Sequence, residues 1–397
     1  MDIVVALDFR FHTTPDGGIW TSNTFSRTFW KRYLDVFDHV RIVARAASVD
    51  EPLPGDTRVD GDAVSFHKVP FYLGPAQYLL KARAVRRSTL GAIRERDAVI
   101  LRVGSQLAAC IAPAMVRVGR PYGLEVIGDP YDAFAPGAIR HPLRPYFRWR
   151  NTRLLKRQCA AACGAAYVTE SALQRRYPCP SYTAAVSDVE LSDGYWETPV
   201  PRKSWGERRL TFVGSLEQMY KAPDVLIDAM AICLRRDPSL SLTLAGEGRH
   251  LPELQTRAAS LGIQNRVRFL GKLSAGSVRE ELDRSSLFVL PSRTEGTPRA
   301  MLEAMSRGLP CIGTAVGGIP ELLAEDDLVP VDDAVALARK ILEVTGNADR
   351  MQRMSTHNRQ KAFQYREDRL RPRRLAFYRH VADATSKWSG SRSVHSS

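Results

Sequence analysis

Short apolar runs recur along the chain without the alternation of a half-exposed strand. In the first half they read "IVVAL", "AVILRV" and "GLEVIG". In the second they read "RLTFVG", "LSLTLAG", "RVRFLG", "LFVLPS" and "PCIGT". Longer segments of helical periodicity separate them. That is the pattern of parallel strands buried on both faces and joined by crossover helices. Two such series in tandem predict an α/β chain with two doubly wound, Rossmann-like domains. The boundary is expected in "WETPVPRKSWGERR", residues 196–209, where proline, tryptophan and charge replace periodicity. The division is then 1–200 and 201–367. A C-terminal helix at about 368–388 is expected to pack back on the first domain. The small, polar residues 389–397, "SGSRSVHSS", are expected to be disordered.

Length and composition agree with that picture. The 397 residues suffice for two cores, and 44% apolar with 25% charged residues is a soluble globular composition. The opening "MDIVVALDFRF" reads as a first strand and not a signal peptide, and no apolar stretch is long enough to span a membrane. Six cysteines, Cys110, Cys159, Cys163, Cys179, Cys233 and Cys311, show neither paired nor zinc-site spacing. They read as reduced thiols of a cytoplasmic protein. The net charge of +14 is uneven: 26 basic against 20 acidic residues over 1–200, 20 against 20 over 201–350, and 11 against 3 over 351–397. An anionic partner for the first half is implied.

Candidate chemistry concentrates in "RTEGTPRAMLEAMSRGLP", residues 293–310. The preceding "LFVL" is a strand, Pro298 suits the first turn of a helix, and Gly308 with Pro310 ends it. Free N–H groups near Gly296, Thr297 and Arg299 then face the carboxyl end of a strand, where the helix dipole favours a phosphate by about 0.3–2 kcal/mol. Glu295 at that mouth suits a neutral, hydroxylated group, and Glu303 further along could bind a diol, such a bond contributing about 1.5–3 kcal/mol. Sugar, diphosphate and ribose in a row describe a nucleotide sugar. The alternative, a loop charge and a solvated helix residue, is opposed by the Gly-Thr-Pro start and by "GTAVGGIPELL" downstream.

This stretch resembles the Glu-x7-Glu signature of the family-4 retaining glycosyltransferases, which have the GT-B fold of two Rossmann-like domains facing across a cleft. "FVGSLEQMYKAPDVLIDAM", "LTLAGEGRHLPEL", "VRFLGKLS" and "GTAVGGIPELL" resemble the flanking family segments in the same order. The resemblance implies that Glu295 contacts the donor sugar, Glu303 the ribose, and the backbone amides of Gly296 and Thr297 the sugar and phosphates, with Pro298 and Arg299 also in the donor site. It puts Gly214, Ser215 and Lys221 on the diphosphate and Leu270 behind the base. Ser215 stands where the family often has arginine, so Arg299 or Arg293 is a candidate second cation, either being equally readable as a surface residue. Gly17 and Gly18 in "TPDGGIWTSNTF" resemble the Gly-Gly loop that approaches the donor phosphates, the following residues starting a helix; the bland reading is a glycine turn. Asp129 in "EVIGDPYDAF" replaces a family histidine and is a candidate catalytic contact to donor sugar or acceptor.

The implied activity is retaining, metal-independent hexosyl transfer from a UDP- or GDP-sugar in bacterial exopolysaccharide or glycoconjugate synthesis, without a cofactor. The acceptor would be a sugar or a lipid-linked oligosaccharide. A sugar-nucleotide epimerase of the same fold is the alternative, and nucleic-acid binding is a weaker one, because the basic segments lack interleaved stacking aromatics. Asp60-Gly61-Asp62 reads as a hairpin turn and not a metal motif. "AGEGRH" lacks the third glycine of a dinucleotide fingerprint, and His12 and His250 are lone histidines. In "LRPYFRWRNTRLLKR", residues 143–157, a face of Leu143, Phe147 and Leu154 with Tyr146 and Trp149 beside it is ringed by basic residues. An interfacial helix on the anionic inner face of the plasma membrane and an ordinary core-packing helix both fit.

Overall fold

The computed structural model describes residues 1–22, 25–136, 141–197 and 208–393, and in it the apolar runs form two separate sheets. The first contains β1 (Asp2–Thr13), β2 (Ile19–Thr21), β3 (His39–Ser48), β4 (Thr57–Arg58), β5 (Val64–Val69), β6 (Ala98–Val103), β7 (Gly123–Val126), β8 (Gly164–Tyr167) and β9 (Tyr182–Ala185). Its parallel strands lie in the order β5-β3-β1-β6-β7-β8-β9, and β2 and β4 add a short antiparallel extension beyond β1. The second sheet contains β10 (Arg209–Val213), β11 (Ser241–Ala245), β12 (Val267–Phe269), β13 (Leu287–Leu290), β14 (Cys311–Thr314) and β15 (Leu328–Val329). It is parallel throughout, in the order β12-β11-β10-β13-β14-β15.

In both sheets the winding reverses beside the first strand, between β1 and β6 and between β10 and β13. Loops leaving the carboxyl ends of such a pair diverge, and the crevice they leave is where a doubly wound sheet holds its ligand. β6, β13 and β14 are buried along their whole length, which is why they read as mainly apolar runs, Arg102 in β6 being matched by Glu125.

Strand β3, "HVRIVARAAS", is less legible because Arg41 and Arg45 interrupt it. Both are partners of acids: the buried Arg41 binds Asp97, and the half-buried Arg45 lies 2.6 Å from Asp8.

The expected domain boundary falls among residues 198–207, outside the described residues. The C-terminal helix, Glu367–Ser393, lies on the first sheet, where Phe377, Tyr378 and Val381 join the core built by β1 and β3. Gly123 permits the approach, since a Cβ there would stand 2.6 Å from the Val381 side chain. Beneath the helix the buried Glu125 carboxylate accepts hydrogen bonds from the hydroxyls of Tyr33 (2.8 Å) and Tyr378 (3.1 Å) and pairs with Arg102. The helix continues to Ser393, so residues 389–393, expected to be disordered, extend it, while 394–397 lie outside the described residues. The six cysteines are free, and burial pushes the thiols of Cys159, Cys163 and Cys233 up to about 12.

Phe377→Ala should remove about 3–5 kcal/mol from the first domain, and Tyr378→Phe about 1–3 kcal/mol by leaving Glu125 short of a donor. Urea unfolding followed by tryptophan fluorescence reads both; equal, negligible losses would mean that the helix is not part of this core.

Candidate functional site

The loop after β13 leads into the helix Arg299–Ser306, whose Met301, Leu302, Ala304 and Met305 are buried in the second core. Pro298 stands one position before the helix, as its N-cap, and Gly308 (φ +66°) follows its end. Ahead of it, one oxygen of Glu295 accepts hydrogen bonds from the Lys221 ammonium at 2.7 Å and the Ser292 hydroxyl at 2.9 Å. Burial works against the charge on Lys221, but the Glu295 carboxylate overrides it and holds the ammonium's pKa above its ordinary value.

Lys221 arrives from the other side of the switch point. After β10 the chain passes Gly214 and Ser215, makes the short 3-10 turn Met219–Lys221, and enters the helix Pro223–Leu234 through a left-handed Ala222. A Cβ at Gly214 would come within 2.4 Å of the Lys221 side chain, so the missing side chain is what lets the lysine cross. The "AGEGRH" loop supports this turn from below. A Cβ at Gly246 would lie 1.8 Å from the Gly214 carbonyl oxygen, and one at Gly248 2.1 Å from the Glu217 nitrogen.

Neither cation expected to assist Lys221 is unengaged. Arg293 makes paired bonds to Asp224 (2.8 and 3.1 Å), a third to Asp332 (2.7 Å) and a fourth to the Met219 carbonyl, while its own N–H reaches Tyr220. It clamps the Lys221 turn, and its side chain is 10% exposed. Arg299 instead bonds Glu303 at 3.0 Å. Glu303 is 7% exposed; burial raises its pKa and Arg299 opposes the rise. Leu270 follows β12, its N–H bonded to the Leu244 carbonyl.

The signature loop also forms the junction between the domains. Gly317 and Gly318 press on it from behind, where added Cβ atoms would meet the carbonyl oxygens of Glu295 and Gly296 at 1.7 and 2.4 Å. On the other side Gly296 faces the Ile127 carbonyl, and the Thr297 hydroxyl donates to the Val168 carbonyl at 2.6 Å. Glu321, just after the two glycines, accepts the N–H groups of Glu170, Ser171 (2.8 Å) and Ala172 (2.7 Å) across the junction.

Across the cleft, at the switch point of the first sheet, lies a cavity of about 290 Å³. Asp8, residues 104–106 and 128–130, Asn151, Leu154 and Gln158 contribute to its wall. Asp129 belongs to that wall, but its carboxylate is engaged. It caps the short helix Pro130–Ala133 through the Tyr131 N–H (2.8 Å), accepts the Tyr177 hydroxyl, and pairs with Arg176. Burial leaves this acid satisfied by protein groups.

Gly17 and Gly18 occupy the hairpin turn between β1 and β2, with the Gly17 N–H bonded to the Thr14 carbonyl and φ of +82°. The helix expected directly after them starts later, at Arg27, with Ser26 as its N-cap. Pairing of Trp20 and Ile19 with β1 has won over helix initiation there, and Asn23 and Thr24 lie outside the described residues.

Asp60 accepts the Ile19 N–H and pairs with Arg58, while Asp62 pairs with Arg27. The basic segment forms the helix Arg144–Ala161, and its supposed single apolar face is split. Phe147 turns to Phe134 and Leu154 to the cavity, whereas Leu143, Tyr146 and Trp149 are more than half exposed.

Ser292, Glu321, Asp8 and Gln158 were not among the candidates read from sequence. Ser292 adjoins the signature and Glu321 the second glycine pair, so proximity to a motif was the only signal for those two.

Residues 199–361 match the family model described as "Glycosyl transferases group 1". Protein CapJ of Staphylococcus aureus is 26% identical over 346 residues, 86% of this chain and 85% of that protein. The Vi polysaccharide biosynthesis protein VipC/TviE of Salmonella typhi is 35% identical over 133 residues, 31% of this chain and 23% of that one. The structure of Anabaena Alr3699/HepE in complex with UDP and glucose superposes with a TM-score of 0.65 at 15% identity, covering 97% of this chain and 99% of that one.

Arg293→Ala should leave Asp224 unpaired and cost about 3–5 kcal/mol. Hydrogen exchange should rise across residues 214–222; unchanged exchange there would show that the turn holds without the clamp.

Proposed function

The second domain of this chain belongs to the glycosyl transferases group 1 and the whole chain has the two-domain GT-B fold, and on that premise we propose how this glycosyltransferase works. It moves a sugar from a nucleoside diphosphate donor to an acceptor hydroxyl, with retention of configuration and without a metal. The observation that carries the reading is the Lys221–Glu295 pair, which lies at the switch point of the second sheet beside the N-terminus of the helix Arg299–Ser306.

In this reading the diphosphate lies over Gly214, Ser215 and Lys221. The sugar meets Glu295 and the Gly296 and Thr297 amides at the mouth of the helix begun by Pro298 and Arg299. The ribose meets Glu303, and the base lies beside Leu270. As the bond from the anomeric carbon to the diphosphate breaks, charge gathers on the leaving oxygen. Lys221 and the amides, already in place, stabilise it without reorganisation. That fixed cation is what would make a metal dispensable. Glu295 is given no nucleophilic role, since an ammonium and a hydroxyl already hold its carboxylate. Asp129 acts by shaping the acceptor wall. Gly17 and Gly18 are proposed only to bring a hairpin tip toward the cleft.

The polysaccharide-synthesis relative supports a role in bacterial polysaccharide or glycoconjugate assembly, and the UDP and glucose of the structural neighbour support a UDP-sugar donor. Among the described residues no helix is long and apolar enough to cross a membrane. Exposed Leu143, Tyr146 and Trp149 among the arginines of their helix support peripheral attachment to an anionic cytoplasmic leaflet, where a lipid-linked acceptor would be met.

Glu303→Ala should weaken UDP binding about tenfold or more by calorimetry, whereas Glu295→Ala should lower turnover while leaving UDP affinity nearly unchanged. NMR of the product should show the donor's anomeric configuration, and EDTA should leave the rate intact; inversion, or EDTA inactivation reversed by Mn²⁺, would sink those parts of the reading.

Liposome flotation should increase with anionic lipid, decrease with salt, and decrease again when Arg144, Arg148 and Arg157 become Ser. Failure to bind anionic liposomes at low salt would make the acceptor a soluble one.

A further inference from the structure

The short helix Ala172–Arg176 of the first domain does not cap itself. Ser171 stands at its N-cap position, yet the Ser171 hydroxyl makes no capping bond and donates instead to Glu321 of the second domain at 3.1 Å. The same Glu321 oxygen accepts the N–H groups of Ser171 (2.8 Å) and Ala172 (2.7 Å), and the other oxygen accepts the N–H of Glu170. The Leu173 N–H goes to the Thr169 hydroxyl at 3.0 Å. A helix start leaves its first N–H groups without partners inside the helix, and a carboxylate suits them in charge as well as in bonding. Here the carboxylate comes from a residue 150 positions further along the chain than Ser171. The first turn of the helix holds no acid of its own, and Glu170 turns its carboxylate to Arg373 at 3.1 Å.

The consequence appears at the far end of the helix. Arg176 pairs with Asp129 and lies 3.1 Å from Asp132, and the Tyr177 hydroxyl donates to Asp129. Asp129 in turn caps the helix Pro130–Ala133 through the Tyr131 N–H, and the Arg176 guanidinium lies 4.5 Å from the centre of the Tyr131 ring. Burial and the neighbouring Asp129 push the Asp132 carboxyl up, and Arg176 is foremost in opposing them. Two acids thus crowd one turn, and the arginine that matches them is delivered by a helix of five residues. A helix that short has too few internal hydrogen bonds to fix its own position.

The segment before it also meets the signature loop. The Thr297 hydroxyl donates to the Val168 carbonyl at 2.6 Å, and a Cβ on Gly318 would stand 3.3 Å from the Thr169 side chain. Residues 168–172 are therefore gripped from the second domain by the signature loop, the second glycine pair and Glu321.

We propose that Glu321 is an interdomain positioning residue. It holds the helix Ala172–Arg176 from the second domain and, through Arg176 and Tyr177, fixes the Asp129 turn in the wall of the first domain's crevice. The same hold keeps Val168 in place as the anchor of Thr297. The effect on turnover rests on the transferase reading, whereas the structural effect needs no ligand, so the two can fail separately.

Hydrogen exchange of the full chain without ligand reads the structural effect. Glu321→Ala should speed exchange at residues 170–173 and also at 130–134, each by about fivefold or more, with residues 214–222 unchanged. Glu321→Gln keeps the oxygen that accepts from Ser171 and Ala172 and should restore most of the protection in both segments. Glu321→Asp, one methylene shorter, should not. Arg176→Gln should free 130–134 and leave 170–172 protected. A rise confined to 170–173 would make Glu321 a local cap and overturn the proposal, and so would a rise that spreads equally to 214–222.

UDP release from UDP-glucose, UDP-galactose and UDP-N-acetylglucosamine reads the effect on turnover. With a donor that the wild type turns over, Glu321→Ala should lower kcat about tenfold and Glu321→Gln by less than about threefold. The donor KM should stay within about twofold in both, because Lys221, Leu270 and Glu303 lie outside the loosened segment. An unchanged kcat, or a change in KM alone, would overturn the positioning role. A wild type that turns over none of the three would instead overturn the UDP-sugar reading, and hydrogen exchange would still decide on Glu321.

Discussion

The Lys221–Glu295 pair is the constraint to which the loops at the second sheet's switch point are built. An ammonium and a carboxylate that are nearly buried would each be costly alone, and their mutual attraction must offset the loss of water. That requires the loop after β10 and the loop after β13 to hold their side chains within hydrogen-bond reach. Only strands adjacent across the switch point can supply both. The pairing of Leu210 with Leu287 and of Thr211 with Phe288 therefore sets where this ion pair stands. A diphosphate entering beside Lys221 would exchange one anion for another at a cation that is already ordered.

Around this pair the backbone is packed against backbone. Gly214, Gly246, Gly248, Gly317 and Gly318 are sites where an added Cβ would come within 2.4 Å of a neighbouring atom. Their common effect is to leave peptide groups, not side chains, at the surface of the site. The same close approach couples the domains. Gly317 and Gly318 hold the signature loop, that loop touches the ends of β7 and β8, and Glu321 ties the residues after the glycines to the first domain. The C-terminal helix makes a second tie, since it leaves the second domain and is anchored at Glu125 through Tyr378.

Each domain thus presents a crevice at its own switch point, and the two differ in electrostatics. One holds a lysine whose charge a carboxylate sustains, beside a helix N-terminus. The other is lined by amides, apolar side chains and acids already matched by arginines. The sequence-wide basicity of the first half belongs to its outer surface and to buried pairs such as Arg41–Asp97 and Arg102–Glu125, not to the wall of its cavity.

The sequence alone determined the two α/β layers, because strands buried on both faces must be continuously apolar and their spacing leaves room only for crossover helices. It also marked the signature helix, whose glycine loop and terminating Gly308 are local features. Shorter or polar-interrupted strands such as β3 and β8 stayed obscure, since their burial depends on partners elsewhere in the chain. Side-chain roles were decided by the tertiary structure. Arg293 and Arg299 are equivalent as residues in a motif, yet one meets Asp224 and Asp332 and the other Glu303. Asp129 looked available until Arg176 and Tyr177 were brought to it. Periodicity and turn chemistry act over a few residues and are written in order along the chain. The partners of a long polar side chain come from segments that only the folded chain makes neighbours.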